Sequence, residues 1–191
     1  MSDSARIQSG LERLAALAAA VARDAAALEP IVAAMRDCLA RGGTLFFAGN
    51  GGSAADAQHL AAEYVVRYRR SAQPPLRAIA LTTDTSALTA AANDFGYREV
   101  FARQLRALAR PGDLLVVHST SGDSANCVAA VHAARELGVT SVGFLGGSGG
   151  ALASIVDHRF VVADDGVNHV QELHLAVQHQ IAAILTGEFG G

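Results

Sequence analysis

Apolar residues first recur at helical spacing and then condense into short continuous runs. Leu11, Leu14, Leu17, Val21 and Leu28 fall three, four or seven positions apart, which predicts one amphipathic helix. Pro30 opens a second helix, because a proline in the first turn forfeits no intrahelical hydrogen bond, and Gly42-Gly43 after Arg41 ends it. Beyond that point the runs Thr44–Ala48, Arg77–Leu81, Leu114–His118, Ser141–Leu145 and His158–Val162 alternate with helical segments. Runs that are apolar at nearly every position predict strands covered on both faces, hence a parallel sheet between helical layers. The expected fold is α/β: a three-layer α/β/α sandwich with a five-stranded parallel sheet. A helical extension over 1–42 and an α/β core over 43–191 are read as a single domain. Ser71-Ala72-Gln73-Pro74-Pro75 reads as one surface loop, with no internal repeat or linker elsewhere. The alanine- and leucine-rich extension covers either its own sheet or a partner subunit.

Composition narrows the function classes. The chain has 191 residues, 51% hydrophobic and 17% charged, enough to bury a core and too apolar for disorder. A net charge of −3 gives no electrostatic reason to expect nucleic acid. All fifteen basic residues are arginine, so lysine-dependent Walker A and Schiff-base chemistry are excluded. Met1-Ser2-Asp3-Ser4 does not resemble the start of a signal peptide, and Leu14–Ala22 is too short to span a bilayer. Cys38 and Cys127 lack metal or disulfide spacing and are expected to be reduced and buried in a cytoplasmic protein.

Two glycine- and serine-rich segments follow predicted strands and open predicted helices. Gly49-Asn50-Gly51-Gly52-Ser53 follows the first strand, and Ser119-Thr120-Ser121-Gly122-Asp123-Ser124 follows the third. Ligands of open parallel sheets bind beyond the strand carboxyl ends. Glycines there allow close backbone approach to an anion, and helix N-termini supply amide donors. Gly49-x-Gly51-x-x-Ala54 also satisfies the dinucleotide fingerprint. That fingerprint needs a ribose-binding acid about twenty residues on. Arg67–Arg70 is basic instead, and Asp84 comes too late, so no nucleotide cofactor is expected. Each loop alone would be an ordinary capped turn; two at neighbouring strand ends point to a phosphate.

The helix after the first loop carries His59 and Glu63 four residues apart, on one face. A second set lies near the C-terminus, in Gln171-Glu172-Leu173-His174 and Gln178-His179. His174 and Gln178 are read as ordinary structural polar groups. With GNGGSAADAQH, Glu63, AANDFGY, STSGDSAN and VQELH followed by His179, the chain resembles the sedoheptulose 7-phosphate (phosphoheptose) isomerases of the SIS domain superfamily, from about Gly43 onward.

The resemblance implies an aldose–ketose isomerase acting through an enediol, in heptose biosynthesis. It implies Glu63 as catalytic base and His179 as its acid/base partner. It implies substrate contacts from Asn50, Gly51, Gly52, Ser53, Glu63, Arg67, Asn93, Asp94, Ser119, Thr120, Ser121, Ser124 and Gln171. His59, Glu63, Gln171 and His179 match the set that binds one zinc per subunit in members where the metal is seen. A homotetramer with active sites at subunit boundaries is implied too, with Arg67 available to a neighbouring site. The expected partner is a small sugar phosphate, not nucleic acid or a membrane. Gln171 and His179 stand about 12 Å apart along a regular helix, a long reach for one ion. Asn168, His169, His118 and Asp123 depart from the family pattern, and Asp123 is expected to face solvent. The alternatives are isomerisation of a shorter sugar phosphate, or a non-catalytic SIS-domain binding protein of the replication-initiator-associated type, which would lack Glu63 and His179.

Overall fold

The computed structural model describes residues 1–68 and 74–189. The strands are β1 (Leu45–Gly49), β2 (Ala78–Ala80), β3 (Leu114–Ser119), β4 (Thr140–Gly146) and β5 (His158–Val162). The helices are α1 (Asp3–Arg23), α2 (Glu29–Ala40), α3 (Gly52–Val65), α4 (Thr85–Phe95), α5 (Val100–Leu108), α6 (Ala125–Glu136) and α7 (Val167–Phe189). The five strands form one parallel sheet in the order β2-β1-β3-β4-β5.

Alternation along buried strands builds two cores. Leu45, Phe47, Leu114, Val116, Val142 and Phe144 face the layer of α2, α3 and α7. Phe46, Ala48, Leu115, Val117 and Leu145 face the layer of α4, α5 and α6. Every residue of β1 and β3 is buried, which explains why their sequences show no polar face. The three-layer sandwich expected from the sequence is therefore the observed fold.

Two details differ from the sequence reading. The first helical stripe is not one helix: α1 ends at Arg23, and Ala25–Leu28 form a 3-10 turn before α2. Leu28 kept the period only because that turn continues the same apolar seam. Asp84 is the N-cap of α4, accepting the Ala87 amide at 2.9 Å, which gives it a local structural task. The proposed loop at 71–75 lies largely outside the described residues, as do Arg69 and Arg70. Among the described residues, no helix is long and apolar enough to cross a membrane.

Chain order reverses at β1: one connection leads outward to β2, and the next leads back across to β3. The carboxyl ends of β1 and β3 therefore flank a crevice at the topological switch point, where open α/β sheets bind ligands. Gly49 pairs with His118 in register, so the glycine loop and the serine loop leave the sheet side by side.

Candidate active site

The glycine loop turns through Gly51, whose φ of +56° is disfavoured for residues with a Cβ. It then opens α3 at Gly52. A Cβ on Gly52 would meet Gln171 Oε1 at 2.5 Å, so the glycine makes room for a side chain arriving from α7. Gln171 Nε2 donates to Ser53 Oγ at 3.4 Å. At the other side of the loop, Asn50 and Asn126 exchange side-chain hydrogen bonds at 2.8 and 2.9 Å. Tyr97 Oη donates to Asn50 Oδ1 at 3.1 Å.

The serine loop is braced internally. Ser119 Oγ lies 3.1 Å from Ser124 Oγ and accepts the Gly122 amide at 3.1 Å. Gly122 has φ +71°, and a Cβ there would run into the Gly149 carbonyl, so only glycine fits. Ser121 Oγ accepts the Asp123 amide at 3.2 Å. Asp123 is exposed, as expected, but its carboxylate also accepts the Ala151 amide at 2.8 Å, at the start of a 3-10 turn. Thr120 is half-buried between the two serines.

Helices α3 and α7 pack along each other and bring together residues more than a hundred positions apart. His59 Nε2 stands 2.8 Å from His179 Nε2 and 3.3 Å from Glu63 Oε1. Ligand atoms of His59, Glu63 and His179 all lie within 4.8 Å of one another. Donors on a tetrahedral ion with bonds of about 2.0–2.1 Å stand about 3.3 Å apart, so two imidazoles and a carboxylate in this arrangement suit a zinc-type site with one open position. Burial lowers the pKa of His179, His59 lowers it further and Glu63 opposes them. The net shift favours the neutral imidazole that a ligand or proton acceptor must be.

The expected residues fall into groups. His59, Glu63 and His179 form the trio. Gln171 reaches the first turn of α3, where its hydrogen bond is to Ser53, so it and His179 meet different turns of the same helix. Asn93 bonds its neighbour Asp94 at 2.8 Å on the exposed end of α4, and Arg67 is exposed beyond α3. His174 and Gln178, read as ordinary polar groups, are fully buried and only half satisfied. His174 Nε2 bonds the Leu145 carbonyl and Gln178 Nε2 faces His118 Nε2, while His174 Nδ1 and Gln178 Oε1 find no partner. Residues not singled out in sequence also border the site. Tyr97 and Asn126 lay inside the motifs AANDFGY and STSGDSAN, and their contacts depend on tertiary placement. The Tyr68 ring lies 5.8 Å from the ring of His179. Asp56, one turn before His59, has a buried Oδ2 without a partner, and burial raises its pKa against the opposing pull of His59.

Known proteins are similar to this chain in sequence and in shape. The SIS domain model matches residues 11–146. A phosphoheptose isomerase of Nitratidesulfovibrio vulgaris is 53% identical over 146 residues, covering 76% of this chain and 70% of that protein. One from Solidesulfovibrio magneticus is 48% identical over 180 residues, covering 94% and 87%. The solved structure of a phosphoheptose isomerase from Francisella tularensis superposes with a TM-score of 0.93 at 34% identity, covering 98% of this chain and 100% of that one. The enzyme from Neisseria gonorrhoeae gives 0.89 at 36%, covering 96% and 98%. By sequence and by fold, the chain belongs to the phosphoheptose isomerase family of SIS domain proteins.

Proposed function

We infer that the protein is an aldose–ketose isomerase that converts sedoheptulose 7-phosphate to a D-glycero-heptose 7-phosphate for heptose biosynthesis. The observation that carries this reading is the convergence of His59, Glu63 and His179 beside two phosphate-type loops, in a chain of this family. Interconversion of a 2-ketose and its aldose moves one proton between C1 and C2. It needs a base at carbon, an acid/base at oxygen, and a grip on a remote part of the substrate.

The serine loop supplies the grip. Ser119, Thr120, Ser121 and Ser124, with the amide-rich starts of α3 and α6, hold the phosphate and so orient the reacting carbons. Asn50, Ser53, Asn93, Asp94 and Gln171 orient hydroxyls along the chain of the sugar. Glu63 takes the proton from carbon, and His179, kept neutral by burial, passes a proton between the oxygens. His59, Glu63 and His179 would hold a zinc ion, which when bound would polarise the substrate carbonyl. Gln171, expected as a fourth ligand, is bonded to Ser53 at the first turn of α3 and is read as a substrate contact instead.

We also read the protein as a cytoplasmic homotetramer. Helix α1 buries none of its residues, and Ile7 and Leu11 on it are 65% and 62% exposed. An apolar groove of about 830 Å³ runs between the N-terminal helices and α7, lined by Val21, Leu28, Val32, Val177, Ile181 and Ile184. A second copy covering that face is the cheapest way to remove it from water. Light scattering on the purified protein tests this: a monomer at micromolar concentration would overturn it.

The direct test of the reaction is incubation with sedoheptulose 7-phosphate, followed by NMR. Appearance of an aldoheptose 7-phosphate supports the reading. No product, with or without added zinc, overturns it and puts the non-catalytic SIS-domain binding protein ahead.

A further inference from the structure

His118 is the penultimate residue of the buried strand β3 and immediately precedes Ser119, whose hydroxyl braces the serine loop. Its ring lies between Phe47 and Phe144, with centroids 6.4 and 5.4 Å away, and the residue is 1% exposed. Its Nε2 stands 3.2 Å from Nε2 of Gln178, which is 0% exposed and immediately precedes His179. One hydrogen bond inside an aromatic core thus joins the strand that carries the serine loop to the helical turn that carries His179.

Packing alone does not require this bond, since apolar side chains of similar volume would fill the space. Its cost is visible: His118 Nδ1 and Gln178 Oε1 are buried and find no partner of good geometry. What the bond adds over apolar contact is direction. Hydrogen bonds weaken steeply with angle, whereas apolar contacts allow a helix to slide or roll. Neighbouring helical residues point about 100° apart. Fixing Gln178 toward the sheet therefore aims His179 toward α3, where it meets His59 at 2.8 Å.

We propose that the His118–Gln178 hydrogen bond is a positioning device that aligns His179 with His59 and Glu63 and fixes that trio relative to the serine loop. Its kinetic consequence rests on the isomerase reading; its structural consequence does not. Both residues act through others and touch neither substrate nor ligand atoms.

Three variants separate positioning from mere stability: Gln178→Leu, His118→Leu and the double variant. Each single variant leaves a buried polar group without its partner, whereas the double removes both partners and should melt close to the parent. The ring–ring NOE between His59 and His179, the Kd for Zn²⁺ alone, and kcat and KM for sedoheptulose 7-phosphate are then compared. In the double variant we expect a weakened NOE, a Kd for Zn²⁺ raised about tenfold or more, and kcat lowered by a similar factor with a smaller change in KM. Parent-like NOE, Zn²⁺ affinity and kcat in a double variant of parent-like stability would overturn the proposal, as would losses that follow only the melting temperature. A parent without turnover would defeat the isomerase reading, yet the NOE and Zn²⁺ comparisons would still decide this one. If the parent bound no Zn²⁺, the NOE alone would decide.

Discussion

Lowering the pH from about 7.5 to about 5 should cost the fold about 4 kcal/mol through two buried imidazoles. Burial, helped by the neighbouring His174, drives the pKa of His118 down to about 3, with a backbone contact at Ala48 opposing. Burial also drives His174 down to about 4, against the hydrogen bond to the Leu145 carbonyl. In the unfolded chain both would titrate near 6.5. Below that value the unfolded chain takes up protons that the folded protein refuses. Stability is therefore intact above about pH 6.5, falls as the pH drops, and levels off only below the folded pKa values. A pH of about 5 lies about 1.5 units below the unfolded pKa of each group, which remains neutral in the fold, a loss of about 2 kcal/mol apiece. His179, also lowered by burial, adds in the same direction. For a chain of this size, about 4 kcal/mol corresponds to a fall of about 8–16 °C in Tm. Thermal unfolding followed by circular dichroism at both pH values, at fixed protein concentration, measures this. The His118→Leu/Gln178→Leu double variant should lose about half of the pH dependence, because it lacks one of the two imidazoles. A parent equally stable at both pH values, or a double variant with the parent's full pH dependence, would refute the reasoning.

Two backbone predictions separate the loops. Gly52→Ala adds a good helix former at the start of α3, so Tm should hold or rise. Its methyl group lands on the Gln171 amide, and KM for the sugar phosphate should rise about tenfold if Gln171 and Ser53 orient the substrate; unchanged kinetics would remove Gln171 from the site. Gly122→Ala has no such escape, because its positive φ and the Gly149 carbonyl both oppose a side chain. It should lower stability by about 1–3 kcal/mol in urea unfolding and weaken inorganic phosphate binding in titration calorimetry; a variant of normal stability would mean that the serine loop is softer than drawn.

Much of the fold was legible because the central strands β1 and β3 are buried on both faces. Continuous apolar runs such as Leu114–Val117 have few other uses, and His158–Val162 was located to the residue. Strand order was not legible, since periodicity carries no information on which strands pair. The break after Arg23 was hidden because a 3-10 turn preserves the apolar seam. At the site, local motifs announced the two loops and the His59–Glu63 pair, which is fixed by helical spacing. The pairing of His179 with His59 came only from resemblance, because the two are 120 positions apart and meet through the packing of α3 on α7. The His118–Gln178 bond was not legible in the sequence: Gln178 read as an ordinary polar group and His118 as a departure from the family pattern, with nothing to link two residues 60 positions apart.

The central claim is that Glu63 moves the proton while the loops hold the phosphate. It is tested most directly by comparing the parent with Glu63→Gln on sedoheptulose 7-phosphate, following aldoheptose 7-phosphate by NMR and binding by calorimetry. Conversion by the parent, with turnover abolished and sugar-phosphate binding retained in Glu63→Gln, is the predicted result. Parent-like turnover in Glu63→Gln would contradict it.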